Sequence, residues 1–243
     1  MDYSFLQCGE GALTVHLGDG IDPAINRRVT ALQGAIGSAG LRGITDLIPA
    51  YADLTVCYDC TVISAKALQR QLRRLLDSLS VAGQDRRRVF QLPVCYGGDY
   101  GPDLDFVCHH SGLSAQEVIE LHSAPDYLIY MLGFLPGFAY LGGLDPRLHT
   151  PRLDSPRTCI PAGSVGIGGA QTGVYPLASP GGWQLLGRPP VSVFDRQRQE
   201  PILYRAGDLV HFVPISPAEY EKIARAVAAG TYTVQVEEVP VCD

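Results

Sequence analysis

The chain has 243 residues, which is long enough for one large domain or for two small domains with buried cores. Its hydrophobic content of 46% and charged content of 18% exclude wholesale disorder. The formal net charge of −6 gives no general attraction to nucleic acid or to an anionic membrane, so we expect neither as a partner. No apolar stretch approaches the ~18 residues of a membrane span. The first ten residues also lack the pattern of a signal peptide.

The first third of the chain alternates strand and helix patterns. Asp22 and Pro23 supply an N-cap and a first-turn proline for a helix. We predict strands over 11–17, 42–49, 53–58 and 89–95, and helices over 23–36 and from Ser64 onward. The order strand–helix–strand–strand–helix–strand is that of a ferredoxin-like unit. The last strand could instead open the following domain.

A polar run over residues 83–88, which ends in three arginines, predicts a linker. The composition changes soon afterwards, because residues 131–190 hold 12 of the 27 glycines and nine of the 18 prolines. Short apolar segments between such turns favour a β-barrel or a sandwich. We therefore predict an α+β protein with an N-terminal α/β domain over 1–88 and a β domain over 89–243.

Capping boxes and one alternating segment complete the second domain. Ser114 and Glu117 form one capping box, and Ser216 and Glu219 form another, so each pair predicts the start of a helix. Residues 231–236 alternate as a closing strand would.

The metal-binding residue types do not form a convincing site. Cys57 and Cys60 make one C-x-x-C pair, and no second pair completes a zinc site. His109, His110 and His122 are weak candidates, because neighbouring histidines project in different directions. We predict no metal site and, in the absence of a secretory signal, free thiols in a cytoplasmic protein.

Candidate chemistry concentrates in residues 130–188, since the chain contains no Walker, nucleophile-elbow, zincin or dinucleotide-binding motif. Arg152 and Arg157 each follow a proline, and two arginines suit a carboxylate or phosphate. The glycines of 163–169 would let backbone amides converge on the same anion. The alternative interpretation is that these glycines are barrel corners and the nearby aromatic residues are core.

Long segments of the chain resemble the family of 5-oxoprolinase B subunits, which is also called allophanate hydrolase subunit 1 or the KipI kinase-inhibitor family. The resemblance is carried by YMLGFLPGFAYLGGLD (130–145), TPRLDSPR (150–157), PAGSVGIGGAQTGVYPLASPGGWQLLGR (161–188) and FDRQRQEPILYRAGDLVHFVPI (194–215). Further matching segments are GEGALTVHLGDGIDPAIN (9–26), IPAYADLTVCYD (48–59), PVCYGGDYGPDL (93–104) and GLSAQEVIELH (112–122). The resemblance implies a small α/β domain followed by a cyclophilin-like β-barrel.

The resemblance implies three activities. Most bacterial members resemble one subunit of an ATP-dependent 5-oxoprolinase, which opens 5-oxo-L-proline to L-glutamate and acts with subunits A and C. The alternative is a binding protein that inhibits sensor histidine kinase autophosphorylation. Urea carboxylases form a third group, but this chain lacks a biotin carboxylase region, so free-standing carboxyl transfer is the weakest expectation.

The oxoprolinase interpretation assigns roles to residues of the dense region. Arg152 and Arg157 are expected to hold the substrate carboxylate or the ATP phosphates, and His149 is a candidate proton carrier. The candidate substrate-binding residues are Gly163, Ser164, Gln171, Thr172 and Tyr175. The candidate partner-binding residues are Phe134, Leu135, Phe138 and Tyr140. The expected cofactor is ATP with Mg²⁺. No motif in this chain indicates a Mg²⁺ site, so the ion could instead bind on the partner subunit.

Overall fold

The computed structural model describes residues 3–79 and 86–240. Contacts divide the chain into two compact units, residues 1–85 and 86–243. Each unit has its own cluster of buried apolar residues. Whether the predicted domains 1–88 and 89–243 fold independently stays a prediction. In the described part of the chain, no helix is long and apolar enough to cross a membrane.

The first unit is a four-stranded antiparallel sheet with two helices. Its elements are β1 (Ser4–Cys8), β2 (Ala12–His16), α1 (Pro23–Ala39), β3 (Ile44–Pro49), β4 (Asp53–Tyr58) and α2 (Ala65–Asp77). The strand order β1-β2-β4-β3 is that of a ferredoxin-like sheet. One edge strand, β1, comes first in the chain instead of last. The sequence did not reveal β1, because four of its five residues are exposed and give no alternating pattern.

Capping residues set both ends of α1 and the start of α2. The Asp22 carboxylate accepts a hydrogen bond from the Ala24 amide at 2.6 Å, and Gly40 ends α1 in a left-handed conformation with φ of 56°. Ser64 caps α2, as predicted. Apolar side chains at helical spacing then bury one face of each helix against the sheet.

The second unit contains a closed barrel. Its strands are β5 (Arg86–Tyr96), β6 (Asp126–Leu132), β7 (Ala139–Gly142), β8 (Arg157–Ile160), β9 (Val165–Gly168), β10 (Gln171–Val174), β11 (Ser179–Gly181), β12 (Gln184–Arg188), β13 (Leu209–Ile215) and β14 (Gln235–Pro240). Its helices are α3 (Leu104–Ser111), α4 (Ala115–Ser123) and α5 (Pro217–Ala228), with a short 3₁₀ turn at Pro146–Leu148. The strand order is β12-β9-β10-β7-β6-β13-β5, and pairing of β12 with β5 closes the ring. This arrangement confirms the predicted α+β class with a barrel.

The arginines that were expected in a linker belong to a strand. Arg86, Arg87 and Arg88 open β5 and pair with the C-terminal strand β14. Arg88 also makes two hydrogen bonds to the Asp208 carboxylate, at 3.0 and 2.6 Å, and Arg86 forms an ion pair with Glu238. The linker prediction is therefore wrong for these three residues, since all three pair in the sheet and Arg86 and Arg88 have acidic partners. The other linker residues, 83–85, lie outside the described residues.

A buried polar chain ties α4 to the barrel. His122 is fully buried, with Nδ1 at 2.8 Å from the Tyr96 hydroxyl and Nε2 at 2.8 Å from Thr172 Oγ1. The Thr172 hydroxyl donates to the Gly166 carbonyl at 3.0 Å, so its proton is in use and His122 Nε2 must donate to it. The Tyr96 hydroxyl then donates to Nδ1. Burial lowers the pKa of His122 to about 3, which keeps the ring neutral.

Candidate functional site

A pocket of about 160 Å³ lies on the barrel beside the β6–β7 hairpin. Its lining residues are Phe134, Phe138, Tyr140, Arg152, Tyr175, Pro180, Gly181, Gly182 and Trp183. They come from three separate chain segments, which barrel closure brings together. All of them fall within 130–188, the region that the sequence singled out.

Aromatic rings form the walls of this pocket. The Phe138 ring lies edge-on to Tyr175 and Trp183, with centroid distances of 5.4 and 5.6 Å. The ring centroids of Tyr175 and Trp183 are 5.9 Å apart. A Cβ atom at Gly181 would lie 2.7 Å from the Tyr175 hydroxyl, so a larger residue there would displace the Tyr175 side chain. The rings therefore present a rigid apolar surface to a small ligand.

Two polar groups of the pocket have no hydrogen-bond or ion-pair partner among the described residues. They are the exposed guanidinium of Arg152 and the hydroxyl of the buried Tyr175. Burial raises the pKa of Tyr175, while the positive charges of Arg152 and Arg157 act in the opposite direction. The phenol therefore stays protonated at neutral pH and can donate a hydrogen bond. A cation beside a donor and aromatic walls suits a small, flat anion.

Arg157 is placed differently from Arg152, although the same role was predicted for both. Its guanidinium donates to the Asp103 carboxylate at 2.6 Å and to the Trp183 carbonyl at 3.3 Å. It therefore lies behind the pocket wall, in an ion pair, and does not line the pocket. Its effect on Tyr175 is through charge alone.

The glycine turn over 163–169 does not offer the open amide donors that we expected. The Gly163 amide donates to the Tyr175 carbonyl at 2.7 Å, and the Ser164 amide and hydroxyl both donate to the Pro161 carbonyl. The Gly169 amide donates to the Thr150 carbonyl at 2.8 Å. These groups are used by the barrel itself, so the alternative interpretation of this segment as barrel turns is the better one.

The other candidate residues lie outside the pocket lining. His149 is exposed after the 3₁₀ turn, and the Thr172 hydroxyl is used within the buried polar chain. Gln171 is half-buried at the start of β10. None of these positions supports direct contact with a ligand in the pocket.

The four predicted partner-binding residues are not equivalent either. Phe134 is 64% exposed and has a left-handed backbone with φ of 63°, which is uncommon for a residue with a side chain. Phe138 is buried in the aromatic cluster, and Leu135 and Tyr140 are half-buried against it. Only Phe134 presents a largely exposed ring.

Sequence reasoning missed Asp103 as a residue of this site. It precedes α3, about fifty positions before Arg157, and only the fold brings the two together. Trp183 was likewise not among the predicted site residues. A single tryptophan among glycines was the signal that could have marked a pocket wall. Among residues 3–79 and 86–240 there is no group of three or more metal-ligating side chains.

Comparison with known proteins places the chain in a family. The carboxyltransferase domain, subdomain C and D, matches residues 3–204. The chain is 42% identical to the 5-oxoprolinase B subunit of Bacillus subtilis, over 90% of this chain and 95% of that protein. It is 45% identical to the 5-oxoprolinase B subunit of Escherichia coli O157:H7, over 85% of this chain and 93% of that protein.

A solved structure supports the fold. The structure of Kluyveromyces lactis urea carboxylase superimposes with a TM-score of 0.81 at 23% identity, over 98% of this chain. The chain spans about a quarter of that enzyme, 24% of its length. The match confirms the fold class and carries no statement about activity. From the family model and the two relatives above 40% identity, the chain belongs to the family of 5-oxoprolinase B subunits.

Proposed function

We propose that the chain is the B subunit of an ATP-dependent 5-oxoprolinase and that the aromatic pocket binds 5-oxo-L-proline. The observation that carries this proposal is the Arg152 guanidinium, which has no acidic partner among the described residues and lines a pocket with the unpartnered Tyr175 hydroxyl. Relatives named as 5-oxoprolinase B subunits, at 42% and 45% identity, support the assignment to this enzyme.

The size of the pocket favours the lactam over the nucleotide. 5-Oxoproline is a flat ring with one carboxylate and about nine non-hydrogen atoms, a size that suits a cavity smaller than those of drug-sized ligands. ATP has roughly three times as many non-hydrogen atoms and does not fit about 160 Å³. We therefore place ATP and its Mg²⁺ on a partner subunit.

Each polar group of the pocket has a role in this proposal. Arg152 forms a charge-assisted hydrogen bond with the substrate carboxylate. The protonated Tyr175 hydroxyl donates to the lactam carbonyl oxygen, and the Phe138 and Trp183 rings flank the planar amide. Amide resonance makes a lactam a poor electrophile, so a fixed orientation of its carbonyl toward the activating group lowers the barrier. The chain thus holds and orients the lactam, while subunits A and C complete the reaction.

An ADP-release assay with 5-oxoproline tests the function. We expect no turnover from the purified chain alone and turnover after it is mixed with subunits A and C. Robust turnover by the chain alone, or none in the complete mixture, would contradict the proposal.

Substitution of Arg152 tests the site. Arg152→Ala should lower kcat/KM of the reconstituted enzyme about tenfold or more, because a charge-assisted hydrogen bond of roughly 1.5–3 kcal/mol is lost. Thermal stability should stay near wild type, since Arg152 is exposed. Arg196→Ala is the matched control, because Arg196 is also exposed and lies outside the pocket lining. Equal kcat/KM values for the two variants would reject the site.

Phe134 supports the second candidate function, inhibition of a sensor histidine kinase. Its exposed, left-handed conformation places an apolar ring where a helical partner can reach it. A second cavity of about 320 Å³ lies next to it along 132–137 and Ile202. Phe134→Ser should abolish capture of a histidine kinase from the same organism. If no kinase is captured by the wild-type chain, the enzyme proposal stands alone.

A further inference from the structure

The Trp183 side of the pocket is anchored from behind by two residues distant in sequence. Trp183 immediately precedes β12, and the residues before it, Gly181 and Gly182, have no side chains that could hold it. Trp183 is nevertheless buried, with 5% of its surface exposed. Its ring packs against Phe138 and Tyr175, and its backbone is also held by hydrogen bonds from distant residues.

Asp103 supplies the first anchor. Its carboxylate accepts a hydrogen bond from the Leu185 amide at 2.6 Å, and its own amide donates to the Leu185 carbonyl at 3.0 Å. The loop that carries Asp103 lies tightly against β12, since a side chain at Gly101 would collide with the Leu186 carbonyl. Asp103 thus fixes the start of β12 to the loop before α3.

Arg157 supplies the second anchor and joins it to the first. Its guanidinium donates to the other Asp103 carboxylate oxygen at 2.6 Å and to the Trp183 carbonyl at 3.3 Å. The Asp103 side chain is only 12% exposed and that of Arg157 29%, so water competes weakly for these bonds. Both backbone neighbours of Gln184 are therefore held by one ion pair.

Gln184 itself connects this segment to Arg152. Its side-chain amide is buried and donates to the Pro151 carbonyl at 3.1 Å. The Leu153 amide donates to the Gly182 carbonyl at 2.7 Å. The segment that carries Trp183 is thus bonded on both sides of Arg152, so a shift of one pocket wall moves the other.

We propose that Asp103 and Arg157 are positioning residues that fix Trp183 and, through it, the ligand-binding geometry of the pocket. Neither residue lines the pocket, and both act by holding the backbone at residues 183 and 185. The ligand named here rests on the proposed function, whereas the placement of Trp183 does not. Arg157 therefore has a positioning role where the sequence suggested direct anion binding.

Trp183 is the single tryptophan of the chain, so its fluorescence reports the position of this wall directly. Arg157→Lys keeps the charge but cannot donate in the same forked geometry to Asp103 and to the Trp183 carbonyl. Asp103→Asn keeps the shape but removes the carboxylate. We expect both variants to show a red-shifted Trp183 emission and about twofold stronger quenching by acrylamide, because the ring becomes accessible to water.

Arg205→Lys is the matched control. It makes the same change in an exposed ion pair, Arg205 with Glu200 at 2.8 Å, and should leave the emission and the quenching unchanged. In the reconstituted enzyme, Arg157→Lys should raise KM for 5-oxoproline about tenfold with a smaller change in kcat, since a displaced wall weakens ground-state binding. Circular dichroism establishes that each variant is folded.

The outcomes separate this proposal from the proposed function. Folded Arg157→Lys and Asp103→Asn variants with wild-type emission and quenching would overturn the positioning role. If neither variant folds, the pair serves stability alone and the proposal is wrong. An inactive wild-type mixture with subunits A and C would reject the oxoprolinase assignment, while a red-shifted emission in the variants would still support the anchoring of Trp183.

Discussion

Two groups of aromatic rings in the barrel enclose polar atoms, and they differ in what those atoms bind. Around His122, each hydrogen-bonding group is satisfied inside the protein, in the series from Tyr96 through His122 and Thr172 to the Gly166 carbonyl. In the pocket, the Tyr175 hydroxyl and the Arg152 guanidinium have no such partner among the described residues. The first arrangement stabilises the fold, and the second suits a ligand.

Each group contains a titratable side chain whose pKa is shifted by burial. Burial lowers the pKa of His122 to about 3 and raises the pKa of Tyr175. A shifted pKa by itself therefore does not mark a functional residue. The presence or absence of an internal hydrogen-bond partner distinguishes the two cases.

The largest expected effect is on stability at His122. His122→Ala should lower the free energy of unfolding by about 3 kcal/mol, because it leaves a cavity, removes the acceptor of the Tyr96 hydroxyl and removes the donor to Thr172 Oγ1. Denaturant unfolding measures this change. Arg152→Ala, the comparison variant from the pocket, should stay within about 0.5 kcal/mol of wild type. A loss of stability in Arg152→Ala as large as that in His122→Ala would contradict the distinction between the two regions.

The pH dependence of stability should follow from the same histidine. Its pKa is about 3 in the folded protein and about 6.5 in an unfolded chain, so the unfolded state binds more protons between these values. The contribution of His122 to the free energy of unfolding is therefore fully present above about pH 6.5. It falls by about 1 kcal/mol per pH unit as the pH drops toward 3. His122→Gln should reduce this slope relative to wild type in unfolding curves at about pH 7, 6 and 5. An identical slope in the variant would show that His122 does not titrate on unfolding.

The smallest expected effects compare two tyrosine hydroxyls. Tyr96→Phe should cost about 1 kcal/mol of stability, because the His122 Nδ1 loses its donor. Tyr175→Phe should leave stability unchanged and raise KM for 5-oxoproline several-fold, which corresponds to about 1 kcal/mol. Thermal melts and steady-state kinetics of the reconstituted enzyme measure both. The opposite pattern would exchange the roles assigned to the two regions.

Local patterns in the sequence predicted β2 to β5 and four of the five helices, because caps and periodicity act over a few residues. The N-caps at Asp22 and Ser64 and the capping boxes at Ser114 and Ser216 all begin helices as expected. The strand over 231–236 is displaced to 235–240 in the structure. Strand β1, helix α3 and the individual barrel strands β6 to β13 were not predicted, since an exposed edge strand, a short helix and short barrel strands carry little periodic signal.

The sequence also located the chemistry within 130–188, and the resemblance in these segments indicated the family. Both results follow from the chain itself, because the glycines, prolines and aromatic residues of the pocket are dense in one segment. Arg152 and Tyr175 were selected there and line the pocket.

Only the tertiary structure separated Arg152 from Arg157, which share the same local motif of a preceding proline. Closure of the barrel brings Asp103 to Arg157 and leaves Arg152 beside the aromatic walls. In the same way, strand pairing determined that the amides of Gly163 and Gly169 bond within the barrel. A side chain's hydrogen-bond partners come from segments far away in sequence, so local residue patterns identify the groups available for binding, and the fold decides which of them remain available.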